Sequence, residues 1–522
     1  MTPLSLNMSN EDARNAQKVL EYIAKELISG KTKEELVAQL VSVGVEQSDA
    51  EKVVSAVEMS IKDALSKEAK EANRLFLEGN RYYEQGKYED ALRCYGEARK
   101  LYEEKGLKGD IAGLDMNSAL VMIAQDRLND ALTLLKQARE EYAKIGAQKG
   151  VATVDMNLGN IYYRIGKYDL AIMVYKDARK VFIEEEMFTY VGNIDRNIAL
   201  SYTYLRKYDE SLKYYNSARN VFDTNGNLLE VAMMDCGIAH IKERLGVLEE
   251  AKTRYIQARE IFKKNEREGS VADIDMALAV IYVKLGDYEN AKKAYLSSKE
   301  IYEKKKAEEC LADLEFNVGC AYSNCGKVSE SVPLIESAGR RYLKLGRADM
   351  QASIELSLSN CAVSCGKLED ALKHAENAKS NSINTKNDAG VAYSNIQLGE
   401  IFLRMNEGKK ALDSFSEAEK CASGSSSNSW HSMVWRAKWG IARAENMLGN
   451  YQNSFDAISS SIEYLLRLGN DAEDRPSKSE WEAIFKFAIE TSHRLGKRDA
   501  AERFADMGGK DAKEYMSTLS WM

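Results

Sequence analysis

Proline is nearly missing from this 522-residue chain, which has only Pro3, Pro333 and Pro476. A fold of short strands and tight turns would use more, so a helical architecture is favoured. Histidine is equally scarce: His240, His374, His431 and His493 are scattered, none beside a nucleophile or at a metal-ligand spacing. The Gly-Ser-Ser-Ser run at Gly424 lacks the strand and lysine of a phosphate-cradling loop. The sequence therefore offers no catalytic set and implies neither an enzyme nor a cofactor. No apolar run approaches the ~18 residues that a membrane-spanning helix needs. The N-terminus lacks a charged-then-apolar signal segment, so no membrane insertion and a cytoplasmic location are expected. Basic blocks are missing too, and the net charge is −8. That argues against nucleic acid, whose non-specific binding rests on phosphate neutralisation. The eight cysteines show no disulfide-type framework, which fits a reducing compartment.

What is abundant is periodicity. Residues 152–182, ATVDMNLGNIYYRIGKYDLAIMVYKDARKVF, read as two amphipathic helices joined by a tight turn at Gly166. A pair of this size cannot bury its own apolar faces and needs neighbours. Stepping by 40 gives Ala91, Ala131, Ala171, Ser211, Ala251, Ala291, Ser331, Ala371 and Ala411. A second small-residue column passes through Ala98, Ala138 and Ala178, and a third through Gly79, Ala119 and Gly159. Small residues in register mark places where helices cross closely. Aromatic columns, such as Tyr102, Tyr142, Phe182 and Phe222, fill the spaces between those crossings.

The pattern L-G-x-x-Y, then Ala a dozen residues on, Tyr four later and Ala three after that, resembles the tetratricopeptide repeat over roughly 71–505. The usual repeat is about 34 residues; the longer unit here resembles the variant of kinesin light chains and of the G-protein regulators of spindle orientation. The run Asn157-Leu158-Gly159-Asn160 is similar to their first-helix signature. The family's terminal proline is missing, and its bulky first-helix aromatic is replaced by an acid. The resemblance implies an all-α fold, a right-handed α-solenoid superhelix of about eleven helix pairs. It also implies that the first helices line an inner groove.

Three parts are expected. Residues 1–70 form an N-terminal three-helix cap, with helix-start signals at Thr32 with Glu35 and at Ser48 with Glu51. This part weakly resembles a ubiquitin-associated module, Val43-Gly44-Val45 falling where that family has its Gly-Phe loop. Residues 71–429 hold nine regular repeats and end in a Ser-rich loop or hinge. Residues 430–522 hold diverged repeats, a capping helix and all five tryptophans, and include an acidic loop around residues 471–476. These tryptophans are either interface anchors or filling for the end of the solenoid.

Two polar patterns stand out. Asp115, Asp155, Asp195, Asp235 and Asp275 recur at 40, and Arg99, Arg139, Arg179, Arg219 and Arg259 each precede one by 16. Where the acid becomes Glu315, the base 16 before it becomes Lys299. The favoured reading is a ladder of carboxylate–guanidinium contacts between adjacent repeats, rather than a metal site. The asparagines differ. Asn117, Asn157, Asn197 and Asn317 share one column, and Asn80, Asn160 and Asn360 another, three positions further on. An amide both donates and accepts, so it can pair with the backbone of an extended peptide, as the resembling families' asparagines do, or only bridge to neighbouring side chains and water. Arg164, Arg196, Tyr204, Arg244 and Lys284 are expected on the same surface, where positive heads suit an acidic or carboxylate-ended peptide. Met116, Met156 and Met276 suit either an adaptable apolar groove or partial burial in the core. Cys320, Cys325, Cys361 and Cys365 are read as core apolar positions rather than zinc ligands.

The resulting expectation is a protein or peptide partner held by a non-catalytic adaptor, with Asn117, Asn157, Asn160, Asn197, Asn317, Arg164, Arg196, Tyr204, Arg244 and Lys284 lining the groove. The alternatives are a self-assembling protein that forms homo-oligomers or filaments, and a regulatory peptide receptor.

Overall fold

The computed structural model describes residues 10–28, 31–64, 67–422, 428–467 and 476–520. The Ser-rich segment at 423–427 and the acidic segment at 468–475 lie outside the described residues. Among the described residues there are 26 α-helices, one short 3-10 helix and no strand. The fold is an all-α solenoid. Three helices come first, then eleven helix pairs, then a last helix, Lys510–Ser517. None of these helices is long and apolar enough to cross a membrane.

The regular pairs have a finer period than the repeat itself. Most helices equal Tyr88–Glu104 in length and are separated by equally short turns, so the basic unit is one helix plus one turn, half a repeat long. The turns share one geometry. From residue 86 to 406, every twentieth residue has positive φ: ten are glycines, and seven are Asp126, Glu186, Arg206, Glu266, Lys306, Lys386 and Asn406. Around each, the chain forms the paired bonds of a Schellman motif, as in Gly166 N–H to Tyr163 C=O and Lys167 N–H to Tyr162 C=O at 3.0 and 2.8 Å. These bonds satisfy the last carbonyls of one helix and aim the chain back antiparallel. The non-glycine residues hide this period from a reading based on glycine alone.

The chain divides into two compact units, one ending at Ile194 and one starting at Asp195. In the first, the helices Asn10–Ile28, Lys33–Ser42 and Gln47–Ala64 close over Ile23, Leu36, Ala50 and Val54. The second of them opens on a complete capping box between Thr32 and Glu35. Ser48 lies inside the third helix, which begins at Gln47, so Ser48 does not cap it. The boundary expected at residue 70 falls within the helix Lys67–Glu84, the first member of the first pair.

Pairing inside a repeat depends on the small columns. At Gly159 a Cβ would lie 2.4 Å from the ring of Tyr175 on the second helix. Gly79 under Tyr95 and Gly399 under Phe415 repeat this contact, with 2.5 and 2.6 Å for the same added atom. The L-G-x-x-Y motif thus has a steric basis: the glycine leaves the seat for an aromatic ring of the following helix. Where serine stands in a small-residue column its hydroxyl finds a partner: Ser331 meets the Cys361 thiol at 3.5 Å, and others meet a backbone carbonyl. Ser211 donates to Ala199 at 2.7 Å, and Ser359 to Ala371 at 2.8 Å.

In the second unit the core continues through each repeat and ends in a cluster built on Trp435, Trp439, Ile458, Phe485 and Phe504. Trp435 is fully buried, and Trp439 is 8% exposed. Both stand in the core, with the guanidinium groups of Arg436 and Arg443 stacked over them. Two positions depart from the expectation for cysteines. Cys361 is buried, but Cys325 and Cys365 are exposed, because they occupy the residue that ends a first helix rather than its packing face.

Candidate functional site

Within each unit, successive first helices touch, as Lys108–Ala124 does Gln148–Arg164, and Glu268–Lys284 does Glu308–Asn324. These first helices therefore lie side by side along one face of each unit. Two rows of side chains lie there. An apolar floor runs through Met116 and Met156 in the first unit, and through Met276, Phe316, Leu356 and Ile396 in the second, all half-buried. Beside it stand the asparagines.

Their surroundings differ from one to the next. In the first unit, Asn80 and Asn117 are half-buried and bonded to each other: Asn117 Nδ2 donates to Asn80 Oδ1 at 3.2 Å. The Tyr95 hydroxyl donates to the same oxygen at 2.6 Å. Asn160 repeats the motif, its Oδ1 accepting from Tyr175 at 2.6 Å. Asn157 is 7% exposed and offers a ligand little surface. In the second unit, Asn197 is half-buried, and its backbone carbonyl accepts from Ser201 at 2.8 Å. Asn317 is exposed, with its Nδ2 3.8 Å from the sulfur of Met276 on the preceding first helix.

The cationic residues close contacts of their own. Arg164 sits at the end of its helix and donates to the Ile123 carbonyl at 3.0 Å and to Asp126 at 2.9 Å, tying two repeats together. In the second unit Lys284 makes the equivalent contact with Glu243 at 2.8 Å, and Arg196 reaches Glu230 at 3.4 Å. Tyr204 and Arg244 are exposed at the ends of their first helices. Much of the positive charge expected to be open to a ligand is thus committed to inter-repeat pairs.

The acid–arginine ladder is present. Arg139 holds Asp155 through two bonds of 2.5 and 3.1 Å, and Arg259 holds Asp275 at 2.5 and 2.9 Å. Arg99 meets Asp115 and Arg219 meets Asp235, each at 3.0 Å. The carboxylates are buried while the guanidiniums are partly exposed. Burial pushes the Asp115 and Asp155 carboxyls above their ordinary range, against the pull of Arg99 and Arg139. One rung differs from expectation. Glu315 is held by Arg341 at 3.1 Å, whereas Lys299 turns to Glu303 on its own helix. The longer glutamate reaches past the position that Lys299 would serve.

Sequence reasoning missed the tyrosines that accompany the asparagines. Tyr95 follows Asn80 at the same spacing as Tyr175 follows Asn160, a regularity visible in the sequence but read only as core packing. Burial pushes the Tyr95 hydroxyl up to about 12, so it remains a donor at neutral pH.

Comparison with known proteins adds two local matches. The model of the family described as soluble NSF attachment protein, SNAP, matches residues 45–229, and a tetratricopeptide repeat model matches 276–305. No curated protein matches the chain. Similar solved structures include the apo form of the quorum sensor NprR from B. thuringiensis, 15% identical with TM-score 0.49, covering 70% of this chain and 99% of that one. The apo form of RapI is 15% identical with TM-score 0.46, covering 53% and 98%. Yeast Tom70 is 13% identical with TM-score 0.44, covering 86% and 95%. With its helix pairs and the local match at residues 276–305, the chain is similar to tetratricopeptide-repeat proteins.

Proposed function

We propose that this chain is a non-catalytic adaptor, of the long-repeat kind that kinesin light chains carry, which grips an extended peptide of a protein partner on the face lined by its first helices. The observation that carries this reading is the pairing of an apolar floor with half-buried amides on one surface. The floor takes side chains, and the amides take backbone groups that would otherwise be desolvated without partners. The local match to a family named as an attachment protein is consistent with an adaptor. Arg164 and Lys284 contribute indirectly by fixing the spacing of neighbouring first helices.

The test is a pull-down from native lysate with the full chain and with an Asn117→Ala/Asn317→Ala variant whose helicity is checked by circular dichroism. A partner held by the native chain and lost by the folded variant supports the groove. Identical partners on both place binding elsewhere, and the oligomeric state of the chain then becomes the next measurement.

A further inference from the structure

Asn80 is unusual among the groove amides because both bonds to its oxygen are visible. Tyr95 donates to Asn80 Oδ1 from the second helix of the same repeat, and Asn117 donates to that oxygen from the next repeat. A carbonyl oxygen has two lone pairs, so the acceptor capacity of Asn80 is filled. Its Nδ2 has no partner among the described residues, and neither has Oδ1 of Asn117. The two side chains therefore leave the Asn80 Nδ2 group as a donor and Asn117 Oδ1 as an acceptor, on adjacent first helices.

The arrangement is held rigidly from behind. Tyr95 is 2% exposed. Its ring lies over Gly79, where an added Cβ would meet it at 2.5 Å, and 6.2 Å from the ring of Phe76. Gly79 immediately precedes Asn80, so the contact that seats the ring also sets where the hydroxyl meets the amide. Without that hydroxyl, Asn80 could turn its amide over and reverse its donor and acceptor.

We propose that Tyr95 is a positioning residue that locks Asn80 and Asn117 into a one-donor, one-acceptor clamp for a backbone amide of an extended peptide. An extended residue offers one C=O and one N–H along the same edge, which is the complement of Asn80 Nδ2 and Asn117 Oδ1. The inference rests on the adaptor reading of this face and goes further by assigning polarity to the site and a role to a residue that never touches the ligand.

The test uses the full chain and a displayed library of random twelve-residue peptides without Asn or Gln, so that any amide recognised is a backbone amide. Selected peptides are resynthesised and titrated against wild type, Tyr95→Phe, Asn80→Ala, and the double variant. A lost hydrogen bond of this kind corresponds to roughly a three- to tenfold loss of affinity. The expected result is that Tyr95→Phe and Asn80→Ala each lose about that much, and that the double variant loses no more than Asn80→Ala alone. Should Tyr95→Phe melt the fold, Tyr95→Leu, the residue that the next repeat carries as the buried Leu135, removes the same hydroxyl and must lower affinity to the same degree. If Asn80→Ala and Asn117→Ala weaken binding while Tyr95→Phe leaves it unchanged, the positioning role is overturned and the adaptor reading stands. If no peptide is selected, or if none responds to any groove asparagine, both readings fall.

Discussion

Lys306 has φ of 53° in a turn whose counterparts at 286 and 326 are glycines. For an L-residue with a side chain that conformation costs roughly 1 kcal/mol or more, part of which is offset by its smaller entropy in the unfolded chain. Lys306→Gly is therefore expected to stabilise the chain by about 0.5–1 kcal/mol, and Gly286→Ala to destabilise it by a similar amount. Denaturant unfolding of both variants checks the pair, and the same sign for both would refute the argument. The cysteines allow a second prediction at this scale. Cys325 and Cys365 are exposed, whereas Cys94 and Cys361 are buried, and burial pushes the half-buried Cys236 thiol up to about 12. The thiolate is the reactive form, so a thiol reagent at pH 8 should modify Cys325 and Cys365 first and leave Cys236 for last among the partly exposed thiols. Mass mapping of labelled peptides over time gives the order, and early labelling of Cys236 would contradict it.

Between helices, the same substitution should act in opposite directions at two glycines. A methyl at Gly159 meets the Tyr175 ring at 2.4 Å, while at Gly96, inside the helix Tyr88–Glu104, nothing lies within 4 Å. Gly159→Ala should destabilise by roughly 1–3 kcal/mol through overpacking, whereas Gly96→Ala should stabilise by roughly 0.5–1 kcal/mol through helix propensity. Thermal melts of the two variants resolve the difference, because both carry the same added carbon. This contrast also marks what the sequence made legible. Gly79 and Gly159 fall in a column of small residues, which located the close crossings and hence the helix pairs. The aspartate rungs of the ladder were equally readable, since a guanidinium and a short carboxylate at that fixed separation have one geometry available. Glu315 was not, because a longer side chain can choose between Lys299 and Arg341, and the choice depends on where Arg341 lies in space. Arg164 and Lys284 show the same limit: their charge was visible, but not the carbonyl and carboxylates of the preceding repeat that engage them. The orientation of Asn80 was not legible at all, as spacing alone says nothing of which amide atom meets Tyr95.

A solenoid is quasi-one-dimensional, each repeat meeting chiefly its neighbours, so damage at one end should remain there. In the second unit the end is covered by the helix Lys510–Ser517, whose Ala512, Tyr515 and Met516 pack on the cluster of Ile484, Phe485, Ala501 and Phe504. Tyr515 also donates to Glu490 at 2.5 Å, and Lys513 pairs with Asp506 at 2.9 Å. Ending the chain after Gly508 would expose that apolar cluster to water, at about 25 cal/mol for each Å² uncovered. Regular repeats further along, such as Glu268–Lys284 with Tyr288–Lys304, make none of these contacts. Hydrogen exchange of the truncated chain should therefore lose protection across Lys478–Arg494 and Arg498–Gly508, fade through Tyr451–Arg467, and keep its full-length values at Glu268–Lys284. A uniform loss across all repeats would mean that the unit unfolds as one cooperative body, and the nearest-neighbour picture of its stability would have to be abandoned. A loss confined to the end would mean that each repeat's stability is set by its own packing and its two neighbours. In that case the asparagines of the first helices can be altered one at a time without disturbing the other repeats.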